Sequence, residues 1–196
     1  MGFDSNGGLS RIPAEQRLNV FALVIYLPDP LGRFLDDVRR QLVPGCNPHA
    51  HVSVLPPRPL AVEWQVAGEQ VRQCAGNWVP FEIALGQVRI FPVTNVIYLE
   101  LGEGAAEMFR IHDAMNSRAL EFAEPFAYHP HITLAQELPP AEVSTVHRRA
   151  QELWERHTGP RSFRAEHTAF VQNTLGNCWI DLAEYGFQGV APKTSF

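Results

Sequence analysis

The chain is poor in cysteine and has no long apolar run. Its 196 residues include three cysteines. They show no metal-like spacing, and their odd number argues against a disulfide framework. We therefore expect a reducing compartment, the cytoplasm. No apolar run reaches the roughly 18 residues of a membrane-spanning helix, and the polar N-terminus has no signal-peptide core. We accordingly expect no membrane partner.

Basic residues are also few. Lysine and arginine total 16 against 21 aspartates and glutamates, giving a net charge of −5. A protein that grips long nucleic acid needs a broad basic face, so we expect no extended nucleic-acid binding. A small anionic substrate held by a few local donors remains compatible with this composition. With 45% hydrophobic residues, the chain can bury a sizeable core.

Two short motifs stand out from this background. The first reads His49-Ala-His51-Val-Ser53, and the second reads His129-Pro-His131-Ile-Thr133. Both lie in β-prone segments, one in each half of the chain. Side chains two residues apart in a strand point to the same face. Each motif therefore presents an imidazole and a hydroxyl side by side: His51 with Ser53, and His131 with Thr133.

Two such pairs facing one cleft would provide what the cleavage of a phosphodiester needs. Near an unperturbed pKa of about 6.5, one imidazole can accept a proton and the other can donate one at neutral pH. The two hydroxyls can donate hydrogen bonds to charge that develops on phosphate oxygens. Which histidine is the base stays open at this point.

Hydrophobic periodicity and proline or glycine breaks predict the secondary structure. Strands are predicted at 18–27, 49–55, 81–91, 96–101 and 129–137. Helices are predicted at 29–42, 61–74, 102–122 and 141–157. A closing strand pair, 164–172 with 178–183, ends the pattern.

The predicted elements run strand, helix, motif strand, helix, strand, twice over. No residue-level repeat is obvious, so we interpret the duplication as architectural. Two similar units related by a pseudo-two-fold axis would bring the motif strands to one groove. We expect a disordered N-terminus at 1–17, a single domain at 18–185 with lobes at about 18–92 and 93–185, and a tail at 186–196.

The motif pair resembles the signature of the two-histidine (2H) phosphoesterase superfamily, which contains the 2′-5′ RNA ligase-like and cyclic phosphodiesterase proteins. That signature is two His-x-(Thr/Ser)-x motifs, one in each half of the chain. Here they begin 80 positions apart, at His51 and His131. The segment 128–135 is similar to the family's second motif, and the opening strand resembles family N-termini.

The resemblance implies a bilobal α+β fold, with an antiparallel-rich sheet and outer helices in each lobe and an active cleft between them. It implies His51 and His131 as general acid and base, Ser53 and Thr133 as phosphate-binding residues, and no metal or other cofactor. Family substrates are 2′,3′-cyclic phosphates of nucleotides and RNA ends, ADP-ribose cyclic phosphates and 2′-5′ linkages.

The chain departs from the family pattern in its basic residues. Many relatives carry lysine or arginine just after a motif, where this chain has Leu55-Pro56 and Ala135-Gln136. This difference favours a small substrate, and Arg58 is the candidate that could compensate. Three further residues are candidates for supporting or substrate contacts: His49, His129 and Tyr128.

Three alternatives remain. The four motif histidines could bind a metal ion, since His-x-His on a strand can present two imidazoles to one ion. The chain could instead be a non-catalytic module that binds a nucleotide or an RNA end. It could also run the reverse chemistry as a 2′-5′ RNA ligase. The sequence does not determine the oligomeric state.

Overall fold

The computed structural model describes residues 12–47 and 49–189. Short 3-10 helices lie at Ala14–Gln16 and Arg118–Leu120. The other elements, in chain order, are β1 (Arg17–Tyr26), α1 (Leu31–Leu42), β2 (His51–Arg58), α2 (Trp64–Ala75), β3 (Phe81–Ile90), β4 (Ile97–Leu101), α3 (Ala105–Met115), β5 (His131–Ala135), α4 (Val143–Glu155), β6 (Ser162–Ala165), β7 (His167–Thr174) and β8 (Trp179–Gly186).

The predicted order is confirmed. The series β1-α1-β2-α2-β3 is followed by β4-α3-β5-α4-β6, and the hairpin of β7 and β8 ends the fold. Most element ends lie within a few residues of the predicted ones, and two elements differ more strongly. The helix predicted over 102–122 ends at Met115, because the side chain of Asn116 accepts a hydrogen bond from the Phe122 N–H and turns the chain. The strand predicted at 164–172 divides into β6 and β7.

The strands form two four-stranded antiparallel sheets, which confirms the predicted α+β fold. The first sheet has the order β2-β1-β7-β8, and the second has the order β5-β4-β3-β6. The motif strand β2 lies at the edge of the first sheet, beside β1. The motif strand β5 lies at the edge of the second sheet, beside β4. The two sheets therefore present equivalent edges to one another.

The predicted lobe boundaries are wrong. β3 belongs to the second sheet, because a short connection lets it pair with β4 from Ile90 opposite Ile97. β7 and β8 return to the first sheet, where β7 pairs with the apolar β1. The first lobe is thus completed by the C-terminal hairpin, and the second lobe is built from β3 to β6.

The helices join the two lobes into one core. On α1 the apolar residues Leu31, Leu35, Val38 and Leu42 are buried. This helix packs against β5, while α3 packs against β2, so each helix supports the motif strand of the opposite sheet. Burying a side chain such as Leu35 contributes about 1.5–3 kcal/mol. The core therefore holds the two motif strands at fixed positions.

The ends of the described chain belong to the fold. The expected disordered segment 1–17 lies partly outside the described residues, but its last residues form a 3-10 helix and the start of β1, and the Gln16 carbonyl accepts a hydrogen bond from Leu175. In the predicted tail, Phe187 is buried and stacks on Phe81. Residues 190–196 lie outside the described residues.

None of the helices in the described part of the chain has the length and apolar character that crossing a membrane requires.

Candidate active site

The two motif strands alternate between the core and the cleft. Val52 and Val54 are buried in β2, as Ile132 and Leu134 are in β5. The histidine and hydroxyl residues between them are half-buried on the other face, as predicted: His51, Ser53, His131 and Thr133. The same burial pattern in both strands follows from the same spacing of apolar residues in both motifs.

The two motifs converge. β2 and β5 contact each other. The Tyr128 hydroxyl, three residues before His131, donates a hydrogen bond of 2.8 Å to the carbonyl of Ser53. The charge of His131 also acts on His51 closely enough to lower its pKa. One cleft therefore contains the edge strands β2 and β5 together with both imidazoles.

Both rings are held in the same orientation by the backbone. Nδ1 of His51 lies 2.7 Å from the carbonyl oxygen of His49, and Nδ1 of His131 lies 2.6 Å from that of His129. A carbonyl oxygen only accepts hydrogen bonds, so Nδ1 carries the proton in each ring. In the neutral form Nε2 is then the acceptor, and the described residues provide no hydrogen-bond partner for it.

The electrostatic surroundings favour neutral rings. Burial lowers the pKa of His51 to about 4, the hydrogen bond to His49 partly offsets this, and the positive charges of Arg39, His49 and His131 lower it further. Burial also lowers the pKa of His131. The hydrogen bond to the His129 carbonyl partly offsets this, and the charge of the His129 side chain lowers the pKa by a smaller amount. At neutral pH both Nε2 atoms can therefore accept a proton.

The two hydroxyls are available for a ligand. Ser53 and Thr133 lie on the same strand faces as the imidazoles, each pairing through its backbone with the central strand beside it. Across the described ranges, neither side-chain oxygen is engaged in a hydrogen bond. Two half-buried hydroxyl donors can bind an oxyanion such as phosphate, and a neighbouring Nε2 can add a donor when its ring is protonated.

Each motif also has a tyrosine from the neighbouring strand, which the sequence analysis missed. The Tyr26 ring stacks on His49 at 3.6 Å between centroids and meets the edge of His51 at 6.4 Å. Its hydroxyl donates a 2.7 Å hydrogen bond to Asp181, and burial together with this carboxylate raises the pKa of Tyr26. Tyr26 therefore stays neutral and supports the first motif through packing.

Tyr98 is the counterpart at the second motif. Its ring meets His129 at 5.5 Å and His131 at 5.3 Å between centroids. Phe91 stacks on Tyr98 at 4.0 Å and meets His131 at 4.9 Å, so the second imidazole has an aromatic wall. Both tyrosines lie within the tetrapeptide Val-Ile-Tyr-Leu, which occurs at 24–27 and 96–99. This repeat of four residues is the signal in the sequence that could have predicted the two tyrosines.

The first histidine of each motif contributes mainly through its backbone. The carbonyls of His49 and His129 orient the catalytic candidates, a role that any residue could fill. The His49 side chain is half-buried against Tyr26, and the His129 side chain is exposed. Direct contact of either side chain with a substrate stays a prediction.

Tyr128 and Arg58 occupy structural positions. The Tyr128 ring stacks on His112 at 3.8 Å while its hydroxyl binds Ser53. Arg58, expected as a compensating cation, is 2% exposed and forms an ion pair with Glu124. It also donates to three oxygens: those of the Pro56 and Leu120 carbonyls and of the Asn116 side chain. The prediction of a substrate contact for Arg58 was wrong, because its donors are used within the fold.

The four-histidine metal site is not formed by the described residues. Nowhere in 12–47 or 49–189 do three histidine, cysteine, aspartate or glutamate side chains come together in a metal-binding arrangement. Nδ1 of both inner histidines is already bonded to a carbonyl, and the outer pair is stacked or exposed. The cleft is instead an arrangement of two imidazoles and two hydroxyls.

Comparison with known families agrees with this geometry. The sequence profile of the 2′-5′ RNA ligase superfamily matches residues 27–177, which include both motifs. The chain belongs to this superfamily, the two-histidine phosphoesterases. A member from Geobacillus kaustophilus that bears the name of a phosphoesterase is 26% identical over 136 residues, covering 65% of this chain and 75% of that protein. One from Bacillus cytotoxicus, similarly named, is 32% identical over 105 residues, covering 49% and 60%.

Solved structures share the two-lobe fold of this chain. The crystal structure of TT0787 from Thermus thermophilus has a TM-score of 0.61 at 16% identity, covering 87% of this chain and 98% of the other. LigT from E. coli, crystallised with 3′-AMP, has a TM-score of 0.59 at 16% identity, covering 88% and 98%. At this level of identity the likeness concerns the fold alone.

Proposed function

We propose that this phosphoesterase hydrolyses a cyclic phosphodiester without a metal, using His51 and His131 as general base and general acid. The substrate would be a 2′,3′-cyclic nucleotide, a cyclic-phosphate RNA end or an ADP-ribose cyclic phosphate. The observation that carries the proposal is the shared orientation of the two rings: each is fixed through Nδ1, and each has an Nε2 acceptor in the same cleft.

The reaction needs one proton removed and one supplied. A neutral Nε2 takes a proton from water, and the water oxygen forms a bond to phosphorus. The bond from phosphorus to one ribose oxygen breaks, and the second imidazole, protonated, donates its proton to that oxygen. A bound phosphate anion raises the pKa of both rings, which supplies the imidazolium that the isolated cleft disfavours. Each proton transfer contributes about 10²–10⁴ in rate.

The surroundings of the two rings favour His51 as the base. Burial opposes the protonation of both rings most strongly. At His51 the charges of Arg39, His49 and His131 add to this effect, whereas at His131 only the charge of His129 does. The ring of His131 is therefore protonated more readily than that of His51. This makes His131 the better candidate for the acid that donates a proton to the departing ribose oxygen. Ser53 and Thr133 would donate hydrogen bonds to the non-bridging oxygens as their charge increases.

A nucleotide-sized substrate is supported by two observations. The net charge of −5 disfavours a long polyanion. LigT, which shares the fold, has been crystallised with 3′-AMP, NADP⁺ and ATP. Small nucleotides and short RNA ends are therefore the first compounds to test.

The deciding experiment incubates the protein with a panel of 2′,3′-cyclic nucleotides, short cyclic-phosphate RNAs and ADP-ribose cyclic phosphate, with products identified by phosphorus NMR. We expect hydrolysis by the wild type, and loss of at least about 10²-fold in rate for His51→Ala and for His131→Ala. His147→Ala is the matched control, since this histidine lies on α4 and contacts the carbonyl of Val88 in the second sheet.

Other outcomes identify the alternatives. Full activity in either cleft variant would refute the assigned roles. Binding of a cyclic nucleotide without turnover would indicate a non-catalytic module. Joining of a cyclic-phosphate RNA to a 5′-hydroxyl RNA would indicate the ligase direction.

A further inference from the structure

A phosphodiester anion in this cleft would meet two hydroxyls, the neutral base His51 and the acid His131, which is protonated once the anion is bound. On the side of the first motif, neither His51 nor Ser53 brings a positive charge to the anion. The positions after the motifs, Leu55-Pro56 and Ala135-Gln136, carry no cation. Since the single lysine, Lys193, lies outside the described residues, the candidate cations in the structure are arginines.

Most of these arginines are already used. Eight form ion pairs with carboxylates: Arg33, Arg40, Arg58, Arg72, Arg89, Arg110, Arg149 and Arg164. Two others, Arg17 and Arg161, donate to backbone carbonyls. A cation for the substrate must therefore come from the remainder, and it must lie beside a motif.

Arg39 meets both conditions. It is half-buried on the last turn of α1, and in the described part of the chain its guanidinium forms no hydrogen bond or ion pair, although Asp36 and Cys46 act on its charge from a longer distance. Asp36, three residues earlier and hence on the same helix face, accepts a 2.7 Å hydrogen bond from the N–H of Ala50. This bond places that face of α1 against the residues that lead into the first motif. The charge of Arg39 accordingly acts on both His49 and His51.

Among the described residues, the second lobe has no arginine or lysine at the position equivalent to Arg39. Arg39 lies four residues before the C-cap of α1, and the residue in the same position on α3 is His112. His112 is buried, contacts Glu124 and Asp113, and stacks on Tyr128. The two halves of the cleft are therefore alike in their histidines and hydroxyls and different in charge.

We propose that Arg39 binds the phosphate of the substrate beside His51 and so fixes the direction in which the substrate lies. In a 2′,3′-cyclic nucleotide, the charged phosphate would face the first lobe, and the uncharged nucleoside would extend toward the aromatic wall of Phe91 and Tyr98. This rests on the proposed function, which it deepens by assigning an anionic substrate with one preferred orientation.

The test compares Arg39→Gln with Arg40→Gln, its neighbour on the exposed face, which pairs with Asp37. A charge-assisted hydrogen bond of about 1.5–3 kcal/mol corresponds to an increase of about 10- to 100-fold in KM for a 2′,3′-cyclic nucleotide. We expect this increase in Arg39→Gln, partial recovery in Arg39→Lys and no change in Arg40→Gln. Unchanged KM in Arg39→Gln would overturn the proposal.

A second readout separates an electrostatic role from a structural one. The charged and titratable groups that face His51 are Arg39 from α1, His49 from the segment before β2, His131 from β5 and Tyr26 from β1. Removing one of the cations raises the pKa of His51, which the C2 proton of the ring reports in an NMR titration. Arg39→Met, which keeps the apolar stem of the side chain, should show the same rise if Arg39→Gln folds poorly.

A third measurement keeps this proposal distinct from the proposed function. Binding of inorganic phosphate, followed by calorimetry, requires no turnover. We expect the wild type and Arg40→Gln to bind phosphate and Arg39→Gln to bind it at least tenfold more weakly. Equal phosphate affinity in all three proteins would refute the role of Arg39, whereas absence of hydrolysis across the substrate panel would refute only the proposed reaction.

Discussion

The hydroxyl of Tyr128 donates a hydrogen bond to the carbonyl of Ser53 and thereby links the two motifs directly. Tyr128 precedes β5 in the second sheet, and Ser53 lies in β2 at the edge of the first sheet. The tyrosine ring is held in turn by stacking on His112. The separation of the two imidazoles therefore depends on a contact between the lobes as well as on each lobe.

Tyr128→Phe tests this link. The substitution keeps the stacked ring and removes the hydrogen bond, so we expect a loss of about 1 kcal/mol in the free energy of unfolding. We also expect kcat/KM to fall by up to about tenfold, because the imidazoles are no longer held at one separation. Tyr185→Phe is the control, since it removes a hydroxyl that lies beside Gly68 on α2. Equal effects of the two substitutions would contradict a specific role for the link.

The pH dependence of kcat/KM should be displaced to low pH. The base must be deprotonated and the acid protonated, and the pKa values of His51 and His131 are both lowered in the free protein. We expect a bell-shaped profile with an acid limb near pH 4 and an optimum below pH 6.5. The two apparent pKa values of this profile belong to the interacting pair of histidines and not to either ring alone. The kcat profile should lie at higher pH, since bound phosphate raises both pKa values. A flat profile would argue against paired imidazoles.

Stability should fall as the solution is acidified below pH 6.5. The pKa of His51 is about 4 in the folded protein against an ordinary 6.5, so the unfolded chain binds more protons between these values. Stability from this group is fully present above pH 6.5 and is lost as the pH falls toward 4, by about 2–3 kcal/mol. Urea unfolding at several pH values should show a steeper slope in the wild type than in His51→Asn. Identical slopes for the wild type and His51→Asn would refute the lowered pKa of His51.

Arg58→Met should destabilise the protein strongly. Arg58 is buried, and its loss leaves Glu124 buried with His112 as its remaining partner. Breaking a buried ion pair costs about 3–5 kcal/mol. Arg89→Met, which breaks the partly exposed pair with Glu100, should cost less than about 1 kcal/mol. Thermal unfolding of both variants measures the difference in stability. Comparable losses of stability would contradict a structural role for the buried ion pair of Arg58.

The local features of the site could be predicted from the sequence. Alternation within a strand depends on neighbouring residues, so the shared face of His51 with Ser53, and of His131 with Thr133, followed from the motifs. The order of strands and helices followed from periodicity in the same way. The supporting tyrosines were missed because a repeat of four residues is short, although Val-Ile-Tyr-Leu was present in both halves.

The sequence by itself determined the two motifs, the order of the elements and the apolar faces that bury them, because each depends on contacts along a few consecutive residues. Tertiary structure alone decided which lobe receives β3, β7 and β8, that Arg58 is used within the fold, and that Arg39 lies beside the first motif. These outcomes depend on pairing between residues distant in the chain, such as Asp36 with Ala50 and Tyr128 with Ser53. Such pairings arise only when the whole core assembles.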